Sequence, residues 1–316
     1  MRKKFEDSQV VSRQCSNWTE VTKWFDEFPS LETSIDYDSG FAAKAWVFRG
    51  LKSSAYELQP SIEREARDKT MEWAALEELV LSEYKARARM HLSAPLIPSD
   101  EVSWLAQMQH YAIPTRLLDF TYSPFVALYF AVADGHQESG RTHLRLWAVD
   151  AEAVNNRFKF VARMAARAAK KEGGETFVVA NLDPDYFSTD RDSVAADIQE
   201  LHELMNSSLT ANEKRRGVLN RSGCVCAALP PAFNPRLASQ QGLFLLNCAE
   251  NISFSASLAK MMEGSDGWCK VIDIPVGLIP EIEGRLFQMN VHHQSLFPDM
   301  EGLAGLIRQK LRLHWK

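Results

Sequence analysis

Hydrophobic residues recur at helical spacing in several stretches of the chain. The clearest stretch covers residues 70–90, where one stripe collects Trp73, Leu76, Val80 and Tyr84. Helices are also predicted over "DEVSWLAQMQHYA" and "GLAGLIRQKLRL", and "NWTEVTKWFDEF" is an amphipathic segment. Another helix is expected to begin after Ser123, because serine is a good cap and Pro124 suits the first helical position.

A shorter run, "AWVFRG", predicts a half-buried strand with Trp46 and Phe48 on one face. The strand ends on Arg49 and Gly50. A glycine at this point lets another backbone or a ligand approach closely. The arginine is either a solvated or ion-paired residue, or a group directed at a ligand.

Further strand-like runs come later, in "RLWAVD", "GCVCAALP", "GLFLLN" and "CKVIDIPV". Because helices come early and short strands late, we expect an α+β protein built as one domain. Residues 1–40 are interpreted as a polar lead-in and residues 41–316 as the domain. A charged helical insertion is expected at about residues 155–216, facing solvent or a partner, since a basic helix precedes an acidic segment there.

Composition and charge narrow the class of protein. The 316 residues are 46% hydrophobic and 24% charged, as in ordinary globular proteins. A formal net charge of −5 excludes a globally basic nucleic-acid binder and allows local basic patches. The five scattered cysteines fit reduced thiols. With no signal-peptide pattern and no apolar run as long as a membrane span, we expect a cytoplasmic protein that makes no membrane contact.

The densest group of polar and titratable residues lies between two predicted helices. It consists of His110, Thr115, Arg116, Asp119, Thr121 and Ser123. Connecting loops often carry function, so we expect this group to form or support a site, with Asp119 holding Arg116 or a backbone amide. The structural alternatives are a helix cap for Ser123, an ion pair between Arg116 and Asp119, and a helix-end position for His110.

Two weaker signals lie in the last third of the chain. The "HHQ" at residues 292–294 has no evident third ligand, so no metal is expected. In "NPRLASQQGLF", Gln241 is expected to approach the site, because its amide can bond to a ribose or a base. A purely structural turn is the alternative for this segment.

Four motifs, in this order, resemble the FRG-domain family. They are "WVFRG", "AQMQHYAIPTRLLDFTYSPFVALYFA", "NPRLASQQGLF" and "LFPDMEGLAGLI", and the resemblance covers roughly residues 41–312. The family is named for the Phe48-Arg49-Gly50 type of triplet. More distantly, the chain resembles the ADP-ribosyltransferase superfamily. That resemblance implies a core of short antiparallel strands with helices packed around it.

The second resemblance also implies that NAD is a substrate. Arg49 and Gly50 match its early Arg-Gly element, and Thr121-Tyr122-Ser123 matches its Ser/Thr-x-Ser element. Arg49 would then hold phosphate or ribose, and Ser123 would orient the ribose. The remaining residues expected to contact NAD are His110, Thr115, Arg116, Thr121, Tyr122, Phe130 and Gln241.

The superfamily completes its site with a late carboxylate, which stabilises the oxocarbenium-like transition state of nicotinamide–ribose cleavage. Glu281 and Glu283 have a Glu-x-Glu spacing, but they follow Pro280 in a loop or helix start. In "LFPDMEG", Asp299 is expected to cap the last helix, and Glu301 is the catalytic candidate because it can reach further.

The function that the resemblance implies is NAD-dependent ADP-ribosyl transfer by an effector of the toxin–antitoxin or anti-phage type. The acceptor would be RNA, DNA or protein, and the basic helix favours nucleic acid. An antitoxin or regulatory protein is a further expected partner. The alternatives are NAD hydrolysis, in which water replaces the acceptor, and a non-catalytic module that binds a nucleotide or a partner protein.

Overall fold

The computed structural model describes residues 10–28, 46–93, 97–98, 100–133, 140–170, 218–228, 235–250, 252–263 and 267–314. Its strands are β1 (Val11–Gln14), β2 (Trp46–Leu51), β3 (Leu117–Thr121), β4 (His143–Asp150), β5 (Val225–Ala228), β6 (Gly242–Asn247) and β7 (Cys269–Pro275). The first helices are α1 (Trp18–Phe25), α2 (Ser61–Asp68), α3 (Trp73–Ala88), α4 (Glu101–His110), α5 (Pro124–Val132) and α6 (Ala151–Lys170). The later helices are α7 (Pro235–Ser239), α8 (Phe254–Met262), α9 (Ile279–Gln288), α10 (His293–Leu296) and α11 (Met300–His314).

The strands form one seven-stranded sheet in the order β1-β7-β4-β2-β3-β6-β5. Every neighbouring pair is antiparallel except β1 and β7, which are parallel. The predicted α+β class, with mostly antiparallel strands and helices packed around them, is confirmed at this level. Among the described residues, no helix is long and apolar enough to cross a membrane.

Alternate residues of the central strands enter two separate hydrophobic cores, because successive side chains of a strand point to opposite faces. Val47 belongs to the core that also contains Met108 of α4 and Phe158 of α6. Phe48 belongs to the other core, with Trp24 of α1 and Leu128 of α5. The sheet is therefore covered by helices on both faces.

Several helix boundaries follow from local capping. Ser123 accepts a hydrogen bond from the Val126 amide at 3.3 Å, with proline in the first turn, as predicted. Asp100 caps α4 by accepting from the Ser103 amide at 2.8 Å. These side chains satisfy amides that have no partner within their own helix, which fixes where each helix begins.

Two expectations about organisation are wrong. The lead-in of residues 1–40 contributes β1, an edge strand paired with β7. The basic helix of the expected insertion is α6, and its face carrying Val154, Phe158 and Val161 is buried in the core. Its helical spacing places the apolar residues on one face, so only the opposite face is polar. The remainder of the expected insertion, residues 171–216, lies outside the described residues.

All five cysteines are buried and unbridged. The sulfur atoms of Cys226 and Cys248 lie 3.8 Å apart. Burial raises the pKa of the Cys269 thiol well above its ordinary value. These thiols therefore belong to the packed interior.

Candidate functional site

A cleft lies beside the junction of β2 and β3. The two strands share one register pair, Phe48 with Thr121, whereas β2 pairs with β4 over its full length. The cleft has a volume of about 830 Å³ and is lined from both strands, from α2, from α4 and from the α7–β6 segment. Its size and position make it the candidate site.

Arg49 extends from β2 into this cleft. Its Nη1 donates a hydrogen bond to the main-chain carbonyl of Asp119 at 2.5 Å. Its Nε is buried and has no hydrogen-bond partner among the described residues. Burial lowers the pKa of Arg49, and nearby Arg64 lowers it further, while the Asp119 carboxylate acts in the opposite direction. Nη1 of the guanidinium is therefore held by a hydrogen bond, whereas Nε lacks an acceptor among the described residues.

A chain of hydrogen bonds holds the Asp119 side chain. Thr115 is fully buried and donates from Oγ1 to Gln109 Oε1 at 2.6 Å. Gln109 in turn donates from Nε2 to Asp119 Oδ1 at 2.8 Å. The other carboxylate oxygen of Asp119 lies 3.9 Å from Arg49 Nη1. Thr115 therefore supports the cleft from behind and does not line it, contrary to its expected contact with NAD.

The cleft is strongly cationic. Its lining includes five cationic side chains, namely Arg49, Lys52, Arg64, Arg67 and Arg236. The lining carboxylates are Glu57 and Asp119. This excess of positive charge contrasts with the net charge of −5 of the whole chain. A cleft of this kind attracts anionic groups such as phosphates.

Of the Thr121-Tyr122-Ser123 element, only the first residue lines the cleft. Thr121 lines the cleft and donates from Oγ1 to the Gln240 carbonyl at 2.7 Å. Ser123 caps α5, and Tyr122 packs against the core; neither is among the lining residues. His110 and Phe130, which were also expected to contact NAD, line the cleft.

Gly50 also lines the cleft, but its lack of a side chain serves helix packing. A Cβ at this position would collide with the carbonyl oxygen of Ala127 and lie 2.8 Å from the Ala131 amide nitrogen. The close approach is therefore made by α5. The sequence allowed either another backbone or a ligand to approach Gly50 closely, and the structure shows the approach of another backbone.

Arg116 is not held by Asp119, so that expectation is wrong. Its guanidinium pairs with the fully buried Glu77 of α3, and its amide donates to the same carboxylate at 2.5 Å. Glu101 lies 4.0 Å away, and the Trp73 ring is 5.2 Å from the guanidinium carbon. Burial alone would lower the pKa of Arg116, but the two carboxylates outweigh it and raise that pKa. Arg116 joins α3 and α4 to β3 and lies outside the cleft lining.

The "NPRLASQQGLF" segment presents a different glutamine from the expected one. Gln241 is exposed, has φ of +48° and lies outside the lining. Gln240 lines the cleft, and its Nε2 donates to the Leu296 carbonyl at 3.1 Å. The turn before β6 thus directs the first glutamine of the pair inward.

The final motif supports the cleft wall. Asp299 caps α11, as predicted, by accepting from the Gly302 amide at 2.8 Å. Glu301 is exposed in the first turn of α11 and is not among the lining residues, so the structure does not bring it to Arg49. Phe297 instead stacks with His293, at 4.5 Å between ring centres, and its ring also lies 4.5 Å from the Arg236 guanidinium carbon. His293 bonds to Tyr129 through Nδ1 at 2.8 Å, which ties this stack to α5.

Sequence reasoning missed several residues of the cleft. They are Lys52, Tyr56, Glu57, Arg64, Arg67, Gln109 and Gln240. Arg64 and Arg67 stand three residues apart, a spacing that puts them on one helix face and could have drawn attention to α2. Among the described residues, no group of three His, Cys, Asp or Glu side chains is arranged to hold a metal ion.

Comparisons with known proteins identify one family. Residues 44–140 match the model of the FRG domain, a range that contains β2, β3, Arg49 and Asp119. No curated protein and no solved structure gives a significant match to the chain. The expected family is therefore confirmed for the part of the chain that forms most of the cleft.

Proposed function

We propose that this chain, which carries an FRG domain, binds NAD in the Arg49 cleft and transfers its ADP-ribose to a macromolecule. The observation that carries the proposal is the Arg49 guanidinium, whose buried Nε has no partner within the described part of the chain. A buried donor left unpaired costs about 1–3 kcal/mol. A phosphate or ribose oxygen in the cleft would supply the acceptor.

The charge of the cleft supports a ligand with phosphates. The guanidiniums of Arg49 and Arg64 are close enough for Arg64 to lower the pKa of Arg49. An anion placed between two such groups relieves their repulsion and receives charge-assisted hydrogen bonds. The pyrophosphate of NAD has this chemistry.

The order of the elements supports an ADP-ribosyltransferase-like core. Arg49 stands on β2, Thr121 on the adjacent antiparallel β3, and Ser123 opens the helix that packs beneath Gly50. These are the elements to which the superfamily resemblance assigns its arginine and its Ser/Thr-x-Ser motif. In this arrangement Ser123 acts by fixing the start of α5.

The carboxylate of the reaction is assigned to Asp119 in place of Glu301. Asp119 lines the cleft and faces Arg49, and its side chain is 62% exposed there. When the ribose–nicotinamide bond breaks, its electron pair leaves with nicotinamide, and positive charge develops on the ribose. A carboxylate beside the ribose stabilises that charge. The acceptor then forms the new bond and gives up a proton.

The test uses the purified chain with NAD labelled in its adenylate half, in the presence of a cell lysate. Labelled macromolecules are expected; free ADP-ribose alone would indicate an NAD hydrolase. The absence of both products would overturn the proposal in favour of a binding module. Arg49→Lys, which keeps the charge and loses the fork, should lower turnover by about 100-fold or more. Arg87→Lys, at an exposed pair with Glu83 on α3, is the matched control.

The biological setting is part of the same proposal and rests on the resemblance alone. An effector of the toxin–antitoxin or anti-phage type would act in the cytoplasm and be restrained by an antitoxin or regulatory protein. Toxicity on expression, relieved by Arg49→Lys and unchanged by Arg87→Lys, is the expected result in cells.

A further inference from the structure

Besides Arg49, four cationic side chains line the cleft, and we name them the cationic rim. They are Lys52, which follows β2, Arg64 and Arg67 on α2, and Arg236 on α7. Arg49 is held against β3 by its hydrogen bond to the Asp119 carbonyl. A dinucleotide bound at Arg49 would leave part of this rim available, because NAD has one pyrophosphate and the cleft has five cationic groups. The rim therefore has the charge for a second anionic ligand.

The geometry of α2 directs two of these groups together. Ile62 and Ala66 are buried, and Arg64 and Arg67 follow on the face that lines the cleft. Side chains three residues apart on a helix have Cβ atoms about 5–6 Å from each other. Arg64 Nη1 donates to the Gln59 carbonyl at 2.6 Å, which orients the guanidinium. A guanidinium carries five N–H groups, so this one bond leaves donors for a phosphate.

Arg236 is held in place by an aromatic stack. The Phe297 ring centre lies 4.5 Å from its guanidinium carbon, and the same ring stacks with His293. A guanidinium that stacks on an aromatic face keeps its N–H groups directed outward in the plane. The rim therefore presents oriented cations from both α2 and α7.

We infer that the cationic rim binds the backbone of a single-stranded nucleic acid and that this strand is the acceptor. The identification as acceptor rests on the proposed function; the binding itself does not. Tyr56 lines the cleft, and 48% of its surface is exposed. Cationic grooves combined with exposed aromatic rings are typical of single-strand binding. A single strand is favoured over a duplex because the bases of a duplex are paired and stacked on one another, which keeps them from stacking on an aromatic side chain.

Binding is measured with the full chain and a fluorescent oligonucleotide of about 12 nucleotides, by anisotropy and without NAD. The double variant Arg64→Glu/Arg67→Glu is expected to weaken binding at least about 10-fold and to reduce the salt dependence of binding. The control Arg87→Glu/Arg89→Glu makes the same change in charge at exposed positions outside the cleft lining. It should change the affinity by no more than about twofold. Unlabelled single strands should compete better than a duplex of the same sequence.

Several outcomes would overturn the inference. They are an absence of oligonucleotide binding, equal loss of binding in the two double variants, and better competition by the duplex. In the labelled-NAD experiment, product that survives nuclease and is destroyed by protease would identify a protein acceptor and also refute it. Failure of the proposed function gives a different result, in which the oligonucleotide binds at the rim and NAD is not cleaved.

Discussion

Arg49 and Asp119 meet across the junction between β2 and β3 through two separate contacts. The arginine donates to the Asp119 carbonyl at 2.5 Å, and the carboxylate lies 3.9 Å from the same nitrogen. The first contact uses only the main chain of β3. A substitution at position 119 therefore preserves it as long as the strand does not move. The position of the guanidinium and the charge of the carboxylate can therefore be varied independently.

Asp119→Asn should lower NAD turnover by about 100-fold without unfolding the protein. The amide keeps the shape of the side chain and removes the negative charge that would face the ribose. Because the side chain is 62% exposed, the free energy of unfolding should change by less than about 1 kcal/mol. Turnover and urea denaturation are measured together. Unchanged turnover would rule out Asp119 as the carboxylate, and Glu301→Gln is the control expected to leave turnover unaffected.

Gly50→Ala should destabilise the protein by about 2–4 kcal/mol. The added Cβ would collide with the backbone of α5 at Ala127, and a backbone cannot move aside as a flexible side chain can. Gly284→Ala is the matched control, since a Cβ on this glycine of α9 meets nothing within 4 Å. That substitution should stabilise its helix by roughly 0.5–1 kcal/mol. Thermal melts of both variants give the comparison, and equal effects would contradict the packing role of Gly50.

Arg116→Met should cost about 3–5 kcal/mol of unfolding free energy, because it leaves the Glu77 carboxylate buried without its partner. Adding Glu77→Gln should recover part of the loss, since the amide removes the charge and its oxygen can still accept from the backbone amide at position 116. Arg87→Met, at the exposed pair with Glu83, should cost no more than about 0.5 kcal/mol. Denaturant titrations measure all three; a double variant less stable than Arg116→Met would contradict this account.

Glu63 should make the protein less stable as the pH rises. Burial raises the pKa of its carboxyl from 4.5 to about 7, despite the hydrogen bond from the Phe254 amide and the nearby Arg64, and Glu57 adds to the rise. Below about pH 4.5 the group is protonated in both states. Between the two pKa values only the unfolded chain ionises readily, so stability falls as the pH approaches 7 and stays lower above it.

Glu63→Gln removes this loss and keeps an oxygen for the Phe254 amide. Relative to the parent protein, the variant should gain stability between about pH 5 and pH 8, by at most about 3 kcal/mol. Glu65→Gln, on the exposed side of the same helix, should show no such gain with pH. Urea denaturation of the parent protein and both variants at about pH 5 and about pH 8 measures these differences in stability. A parent protein whose stability is flat over this range would show that Glu63 ionises normally.

The sequence by itself determined the features that depend on neighbouring residues. The caps at Ser123 and Asp299 require only residues up to three positions ahead, and both were predicted correctly. The strand that carries Arg49 was predicted from alternation in "AWVFRG", and in the structure it continues to Leu51. The same local patterns predicted the helices that became α3, α4, α5 and α11.

Only the tertiary structure decided which distant groups meet. Arg116 pairs with Glu77, 39 residues away in sequence, although Asp119 is much nearer along the chain. Asp119 stands on the exposed part of β3 that faces the cleft, whereas Arg116 precedes that strand, next to α3. Since an ion pair forms between groups that the fold brings together, and spacing along the chain carries no such information, no local pattern could distinguish the two carboxylates.

The same reason explains the glutamines and the late carboxylate. Which of Gln240 and Gln241 faces the cleft depends on the turn into β6, where the positive φ of Gln241 leaves that side chain exposed. Glu301 had a suitable place in its motif, but the packing of α10 and α11 leaves it in solvent, while Phe297 of the same motif holds Arg236 at the cleft. The sequence determined where individual elements begin and end, and the packing of those elements determined which side chains share the site, because side-chain direction is fixed only when the elements are packed against one another.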